Sequence, residues 1–346
     1  MFSLHDKAGQ ISPIFPFFRF FIIHEMTRHL SNSSRDEQFQ AFPLYFPGDK
    51  SKRWTRSIAS TVDQLLNKYP ADRFQIVAVD VFAGSFFVSS FLRYLLPSSS
   101  HVIANDFQRI TRDRLEHIEQ TEQIRQTIRQ RFHRLHQHSE DDEPLTTREL
   151  QTLFSILYEA EQRGDFIDWL QLSKWFNHPK QRSENMLDFL KSQHYNHFKA
   201  SEPLPSIEEA NQYTQGLHII DRNASDFDDF RHYVEHEEAR KIPEIPGLPR
   251  VFFYILDPPY YETNNNGYRD GEHEEEQAQA RGPTLRTISQ LLRCPFPFMY
   301  WNTDKHDIRR IFEEQAHTLS ETFQTFPRVN VERKRGNIVE FLAFRV

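Results

Sequence analysis

The sequence predicts an α/β fold on a mostly parallel sheet, and three observations carry that reading. Phe74-Gln-Ile-Val-Ala-Val-Asp-Val-Phe82 is a near-continuous apolar, β-branched run, the composition of a strand covered on both faces. A turn at Gly84, a helical pattern from Ser85 to Leu96 closed by Pro97-Ser-Ser-Ser100, and a second short strand, Val102-Ile-Ala-Asn105, complete a βαβ unit. Strand signals then return at Gly216–Ile220, Val251–Leu256 and Pro297–Trp301. The last two, Arg328–Glu332 and Ile338–Phe344, flank Lys-Arg-Gly-Asn and read as an antiparallel hairpin on one edge of the sheet.

Between these groups, from about Thr111 to Gln215, every pattern is helical. Leu115, Ile118, Ile128, Phe132 and Leu135 mark one amphipathic face. Thr146-Thr-Arg-Glu149 has the form of a capping box that opens a helix running through Glu161. The expected organisation is an N-terminal extension over 1–40, a sheet domain over 41–110 and 216–346, and a helical insertion over 111–215. A second methionine, Met26, leaves open whether 1–25 belong to the mature protein. No internal repeat is visible. A chain of 346 residues accommodates one domain with an insertion or two domains.

Composition removes several classes. The longest apolar run, Ile14–Ile23, is about half of what a membrane span needs and carries Arg19, so no membrane segment is expected. It lacks a small-residue cleavage site, which argues against a signal peptide and makes the cytoplasm the default location. The single cysteine, Cys294, excludes an intramolecular disulfide and a cysteine-built metal site. A net charge of -7 argues mildly against a protein that coats nucleic acid. Charge is uneven, however: residues 109–134 hold seven arginines against four acids. Arg125, Arg129 and Arg134 are candidates for DNA contact, along phosphates or in the major groove; a solvated, mixed-charge helix face is the plainer reading.

In open parallel sheets, ligands bind beyond the carboxyl ends of the strands. Gly84 ends the first strand and Asp106 the second, a spacing that suits an adenosine-containing cofactor and also occurs in ordinary turns. Leu256-Asp-Pro-Pro-Tyr260 is sharper. Two prolines at a strand end remove two backbone donors and stiffen the chain, leaving carbonyls and the Asp257 carboxylate as fixed acceptors. Such acceptors suit an amine. Adenine's exocyclic nitrogen is a poor nucleophile because its lone pair is delocalised. Acceptors that bind both amine hydrogens, Asp257 and the Pro258 carbonyl, favour a more tetrahedral nitrogen. Tyr260 would offer a stacking face to a base swung out of a duplex. The plainer alternative is that Pro258-Pro259 ends a strand and Tyr260 packs. His232 and His236 lie one turn apart, but seventeen histidines make such coincidences common, and no metal is expected.

At these residues the chain resembles the Dam-like (alpha-group) adenine-specific DNA methyltransferases, in which cofactor segments precede a target-recognition insertion and Asp-Pro-Pro-Tyr follows it. The resemblance implies a Rossmann-like S-adenosylmethionine-dependent methyltransferase sheet, with Asp257, Pro258, Pro259 and Tyr260 catalytic. Phe46-Pro-Gly-Asp-Lys50 resembles the family's aromatic-x-Gly-Gly-Lys segment, implying that Phe46 and Lys50 lie near the cofactor. Phe82-Ala-Gly-Ser-Phe86 resembles its Phe-x-Gly-x-Gly turn, implying cofactor contacts at Phe82 and Gly84. Asp106 is placed like the ribose ligand, Asp226-Phe227 like the pair that contacts the cofactor's adenine, and Tyr300-Trp-Asn302 like a strand ending in Ser-Asn. Two positions depart from the pattern: Phe86 and Asp49 stand where the family has glycine. A side chain at Phe86 either narrows the pocket or changes the turn.

The implied partners are double-stranded DNA and S-adenosylmethionine, by a base-flipping mechanism without a metal. Cytosine N4, RNA or a protein amide as acceptor, and a catalytically degenerate nucleic-acid-binding relative, are the alternatives. Asp at position 257 favours adenine in DNA. A restriction endonuclease partner, a housekeeping mark and phage self-protection all use this chemistry, and the sequence leaves the setting and target site open.

Overall fold

A computed structural model describes residues 44, 54–132, 145–176, 189, 203–258, 281–303, 308–320, 328–335 and 338–346. The chain divides at Gln40/Ala41, and all described residues belong to the second unit.

The first strand, β1 (Gln75–Asp80), is buried at all six positions, as its unbroken apolar character requires. Val81 and Phe82 already belong to the turn beyond it. A helix not anticipated from the sequence, α1 (Thr55–Lys68), precedes β1 and buries Ile58, Val62 and Leu65. After β1 come α2 (Phe87–Leu95) and β2 (His101–Asn105). Among the described residues, α3 (Ile110–Glu116), α4 (Ile118–Arg131), α5 (Thr147–Arg163) and α6 (Trp169–Phe176) follow. The chain returns through α7 (Ile207–Thr214), β3 (Leu217–Ile220), α8 (Phe227–Tyr233) and β4 (Arg250–Leu256). It ends with α9 (Arg281–Arg293), β5 (Phe298–Thr303), α10 (Ile308–Ser320), β6 (Arg328–Arg335) and β7 (Ile338–Arg345).

These strands form one seven-stranded sheet in the order β3-β2-β1-β4-β5-β7-β6. The first five are parallel, and β7 runs antiparallel between β5 and β6, so the expected hairpin forms and β6 is the edge. This is a Rossmann-like sheet with an antiparallel hairpin added at one edge. From β1 the chain winds outward to β2 and β3, then crosses back to β4 on β1's other side. The switch point therefore lies between β1 and β4, where such sheets open a crevice at their carboxyl ends.

The helical segment has a core of its own, including Ile124, Ile128, Phe132, Leu153, Leu157 and Trp175. The capping box at Thr146 is present: the Thr146 hydroxyl accepts the Glu149 N–H at 3.3 Å, and the Glu149 carboxylate accepts the Thr146 N–H at 2.7 Å. The helix it opens ends at Gly164, whose φ of 76° is the left-handed cap that glycine adopts without penalty. The amphipathic face expected to run unbroken from Leu115 to Leu135 instead breaks at His117, between α3 and α4. The reason is packing. Leu115 and Ile118 join a cluster with Ala83 of the turn after β1 and Ala104 of β2, while Ile124, Ile128 and Phe132 join the helical core. Leu135 lies outside the described residues. A buried ion pair, Arg114 Nε to Asp168 Oδ2 at 2.8 Å, ties α3 to the start of α6.

Candidate active site

The carboxyl ends of β1 and β4 lie side by side, with Asp80 paired opposite Ile255 and the Val81 N–H donating to the Ile255 carbonyl at 2.9 Å. Beyond β1 the chain turns sharply: Gly84 has φ of 48°, and Phe86, the residue before α2, has φ of 59° and ψ of 5°. A non-glycine residue in this left-handed region costs roughly 1–2 kcal/mol. The turn that glycine normally supplies is thus kept, and the Phe86 ring is fully buried with Leu44, Ala104, Leu115 and Ile118. The Gly84 carbonyl accepts a hydrogen bond from the Thr111 hydroxyl, fastening the turn to α3.

Asp257 and Pro258 follow β4 directly and are half-buried at this edge; Pro259 and Tyr260 lie outside the described residues. The Asp257 charge is felt by Asp80, the last residue of β1, which sequence reasoning missed. Asp80 is fully buried, and burial, together with the Asp257 charge, pushes its carboxyl up to about 7. The signal was an acid inside an otherwise apolar strand. On the other side of β4, burial and the Asp257 charge raise the Tyr300 hydroxyl, which is hydrogen-bonded to the Asn302 amide.

The β2 and β3 ends are built differently. The Asn105 side chain donates to the carbonyls of Val81 and Arg222 at 3.0 and 2.8 Å and accepts the Arg222 N–H at 2.9 Å, lacing three loops together. The Asp106 carboxylate accepts the N–H groups of Thr111 at 3.1 Å and Arg112 at 2.8 Å. Buried there, it titrates near 6 and caps α3, so the ribose role implied by the resemblance would compete with that cap. Beyond β3 lies a cleft of about 410 Å³ lined by Asp221, Arg222, Asn223, Ser225, Asp226 and Asp229 among others. Asp226 caps α8 by accepting the N–H groups of Asp228 and Asp229, and takes a further hydrogen bond from Gln290 at 2.8 Å. These donors hold its carboxyl below the usual range. Phe227 is fully buried, edge-on to Tyr254 with ring centres 5.3 Å apart, so its ring packs in the core. Phe82 is partly buried against the same core. Phe46 and Lys50 lie outside the described residues.

The chain's own groups fit an adenosine-bearing donor at this edge. The Gly84 turn brings backbone to the crevice, and the cleft beyond β3 presents Asp221, Asp226 and Asp229, acceptors suited to the amine and hydroxyl donors of a nucleoside.

In the helical segment the expected DNA-contacting arginines separate. Arg125 is buried and forks onto Glu122 at 2.6 and 2.7 Å, while Glu122 also accepts the Leu204 N–H, so its guanidinium is engaged within the helical segment. Arg129 is half-buried on α4, and Arg134 lies outside the described residues. The imidazoles of His232 and His236 lie 4.3 Å apart, and among the described residues no three His, Cys, Asp or Glu side chains gather to hold a metal. No described helix is long and apolar enough to cross a membrane.

Sheet order and crevice define a chain with a Rossmann-like α/β fold. Two solved structures of the rRNA methyltransferase AviRa from Streptomyces viridochromogenes are similar to it. One is 12% identical with a TM-score of 0.33, over 91% of this chain and 94% of that one. The other is 13% identical with a TM-score of 0.31, over 91% and 93%. Likenesses this low carry no argument about substrate. No family model and no curated protein matches the chain.

Proposed function

We propose that this chain is an S-adenosylmethionine-dependent methyltransferase that modifies the 6-amino group of adenine in DNA. The observation that supports this best is the position of Asp257-Pro258: it follows the central strand β4 without a break, at the sheet's carboxyl edge beside the Gly84 turn. Gly84 and the acids of the cleft beyond β3 would hold the donor, which supplies a methyl group made electrophilic by its sulfonium charge. The Asp257 carboxylate and the Pro258 carbonyl would accept the two hydrogens of the target amine, concentrating its lone pair on nitrogen and orienting it. The Asp257 carboxylate would also offset the positive charge that grows on nitrogen and would accept the proton released after methyl transfer.

The test is to incubate the protein with S-adenosylmethionine and either unmethylated duplex DNA or RNA, digest to nucleosides, and identify methylated bases by mass spectrometry. N6-methyladenine from DNA is expected, with Asp257→Ala reducing it by at least about 100-fold while donor affinity persists. A methylated RNA base or N4-methylcytosine would replace the acceptor in this reading. Intact fold without any methylated base would point to a binding protein.

A further inference from the structure

The helical segment neutralises much of its own positive charge: Arg109, Arg114, Arg125, Arg131 and Arg163 each meet a carboxylate within 3.0 Å. A polyanion gains little from cations already paired, because binding it depends on charges free to replace its counterions. The chain holds one run of three consecutive cations, Arg333-Lys334-Arg335, and it lies in β6. With Arg328, that strand carries four cations against one acid, in a chain whose net charge is -7.

Topology brings the run to the site. β5 is parallel to β4 and ends at Thr303, which pairs with Glu340 near the start of the antiparallel β7. β7 in turn pairs Glu340 with Arg333, Val339 with Lys334 and Ile338 with Arg335. The closed end of the hairpin therefore lies at the carboxyl edge of the sheet, the edge where Asp257 follows β4. Three strand spacings separate β4 from β6, about 14 Å. Along one strand of a duplex that is about four nucleotides, so a base at Asp257 leaves phosphates of its own strand beside the hairpin.

Charge on an edge strand also guards against pairing with another sheet. That role calls for charge along the middle of β6, where Val329, Asn330 and Val331 bring none; three of the four cations gather instead at the end nearest Asp257. Of those three, only Arg333 pairs with an acid, while Lys334 and Arg335 stand opposite Val339 and Ile338. The ladder is irregular between Val331 and Arg333, and such bulges bend a strand and occur beside active sites.

We infer that the end of the β6–β7 hairpin is a phosphate-binding element for the DNA substrate. Arg333, Lys334 and Arg335 hold the duplex backbone a few nucleotides from the target base, fixing its position without reading its sequence. This rests on the reading of the edge as a site that modifies DNA.

The experiment uses the full chain with Arg333→Gln, Lys334→Gln and Arg335→Gln combined, and Arg131→Gln, whose charge Glu159 already meets, for comparison. Binding of a fluorescent duplex is measured by anisotropy across a salt series, S-adenosylmethionine affinity by calorimetry, and folding by circular dichroism. The triple variant is expected to bind duplex at least about tenfold more weakly at low salt, and its slope of log affinity against log salt should be shallower by about 2–3. Donor affinity should stay within about twofold. Slope and duplex affinity unchanged in the folded triple variant would overturn the inference, as would a larger loss from Arg131→Gln. Aggregation with an unchanged slope would reduce the cations to guards of the sheet edge. If the triple variant does not fold, Lys334→Gln and Arg335→Gln made singly decide, each expected to lower the slope by about 1. A parent that binds duplex through the hairpin yet leaves it unmethylated overturns the reading of the reaction and keeps the phosphate site. A parent that methylates DNA while the triple variant binds it equally well does the reverse.

Discussion

The carboxyl edge of the sheet and the helical segment follow opposite rules. In the helical segment local chemistry and tertiary structure agree. Thr146 and Glu149 cap α5 at one end, Gly164 closes it at the other, and Arg131 meets Glu159 at 2.9 Å across the surface between α4 and α5. At the sheet edge they conflict. Phe86, Gln108 and Arg109 all take positive φ without being glycine, Asp80 and Asp106 are buried with raised affinities for protons, and the Asp257 charge acts on the buried Asp80. A fold tolerates such conflicts when the surrounding structure over-determines them, and they concentrate where function needs a particular geometry. The difference separates a scaffold from a site.

That contrast can be tested at its strongest point with Phe86→Gly. Losing a fully buried ring costs about 3–5 kcal/mol, and relief of the left-handed backbone returns about 1–2 kcal/mol. Chemical denaturation should therefore show a net loss of about 1–4 kcal/mol; a stabilised variant would mean that the ring is not core.

The second comparison concerns pH. The Asp80 carboxyl is raised from 3.8 to about 7 in the folded protein, so the native state keeps a proton that the unfolded chain has released. Its contribution to stability is fully present below 3.8 and is lost as pH climbs through about 7. The melting temperature of the parent should fall relative to Asp80→Asn between pH 5 and pH 8. Parallel profiles in the two proteins would remove Asp80 as the source of the slope.

The smallest effect belongs to the well-behaved region. Thr146→Ala removes one half of a capping box at a half-buried helix start, which costs about 1 kcal/mol. Donor affinity should not change, and a change would show that the helical segment and the sheet edge are mechanically coupled.

The strands show how far a sequence can be read. β1, β4 and the closing hairpin were legible because a strand covered on both faces must be apolar throughout, and a hairpin needs turn residues between two alternating runs. The start of α5 was legible for the same local reason, a capping box. The helix α1 was not, because nothing near it in the chain announces the surface that buries Ile58, Val62 and Leu65. The break at His117 was hidden too: Leu115 and Ile118 share a helical period with Ile128 and Phe132, yet the two groups pack into different cores.

Within the site, chain order alone determined that an Asp-Pro-Pro-Tyr segment would follow a buried strand and that a glycine turn would follow another. Only the tertiary structure decided that the two strands are neighbours, that Arg125 spends its charge on Glu122, that Phe227 belongs to the core, and that Asp80 stands beside Asp257. Sequence records which groups are available. Parallel pairing of strands far apart in the chain decides which are buried together, and burial is what turns an ordinary carboxylate into one that holds its proton near neutrality.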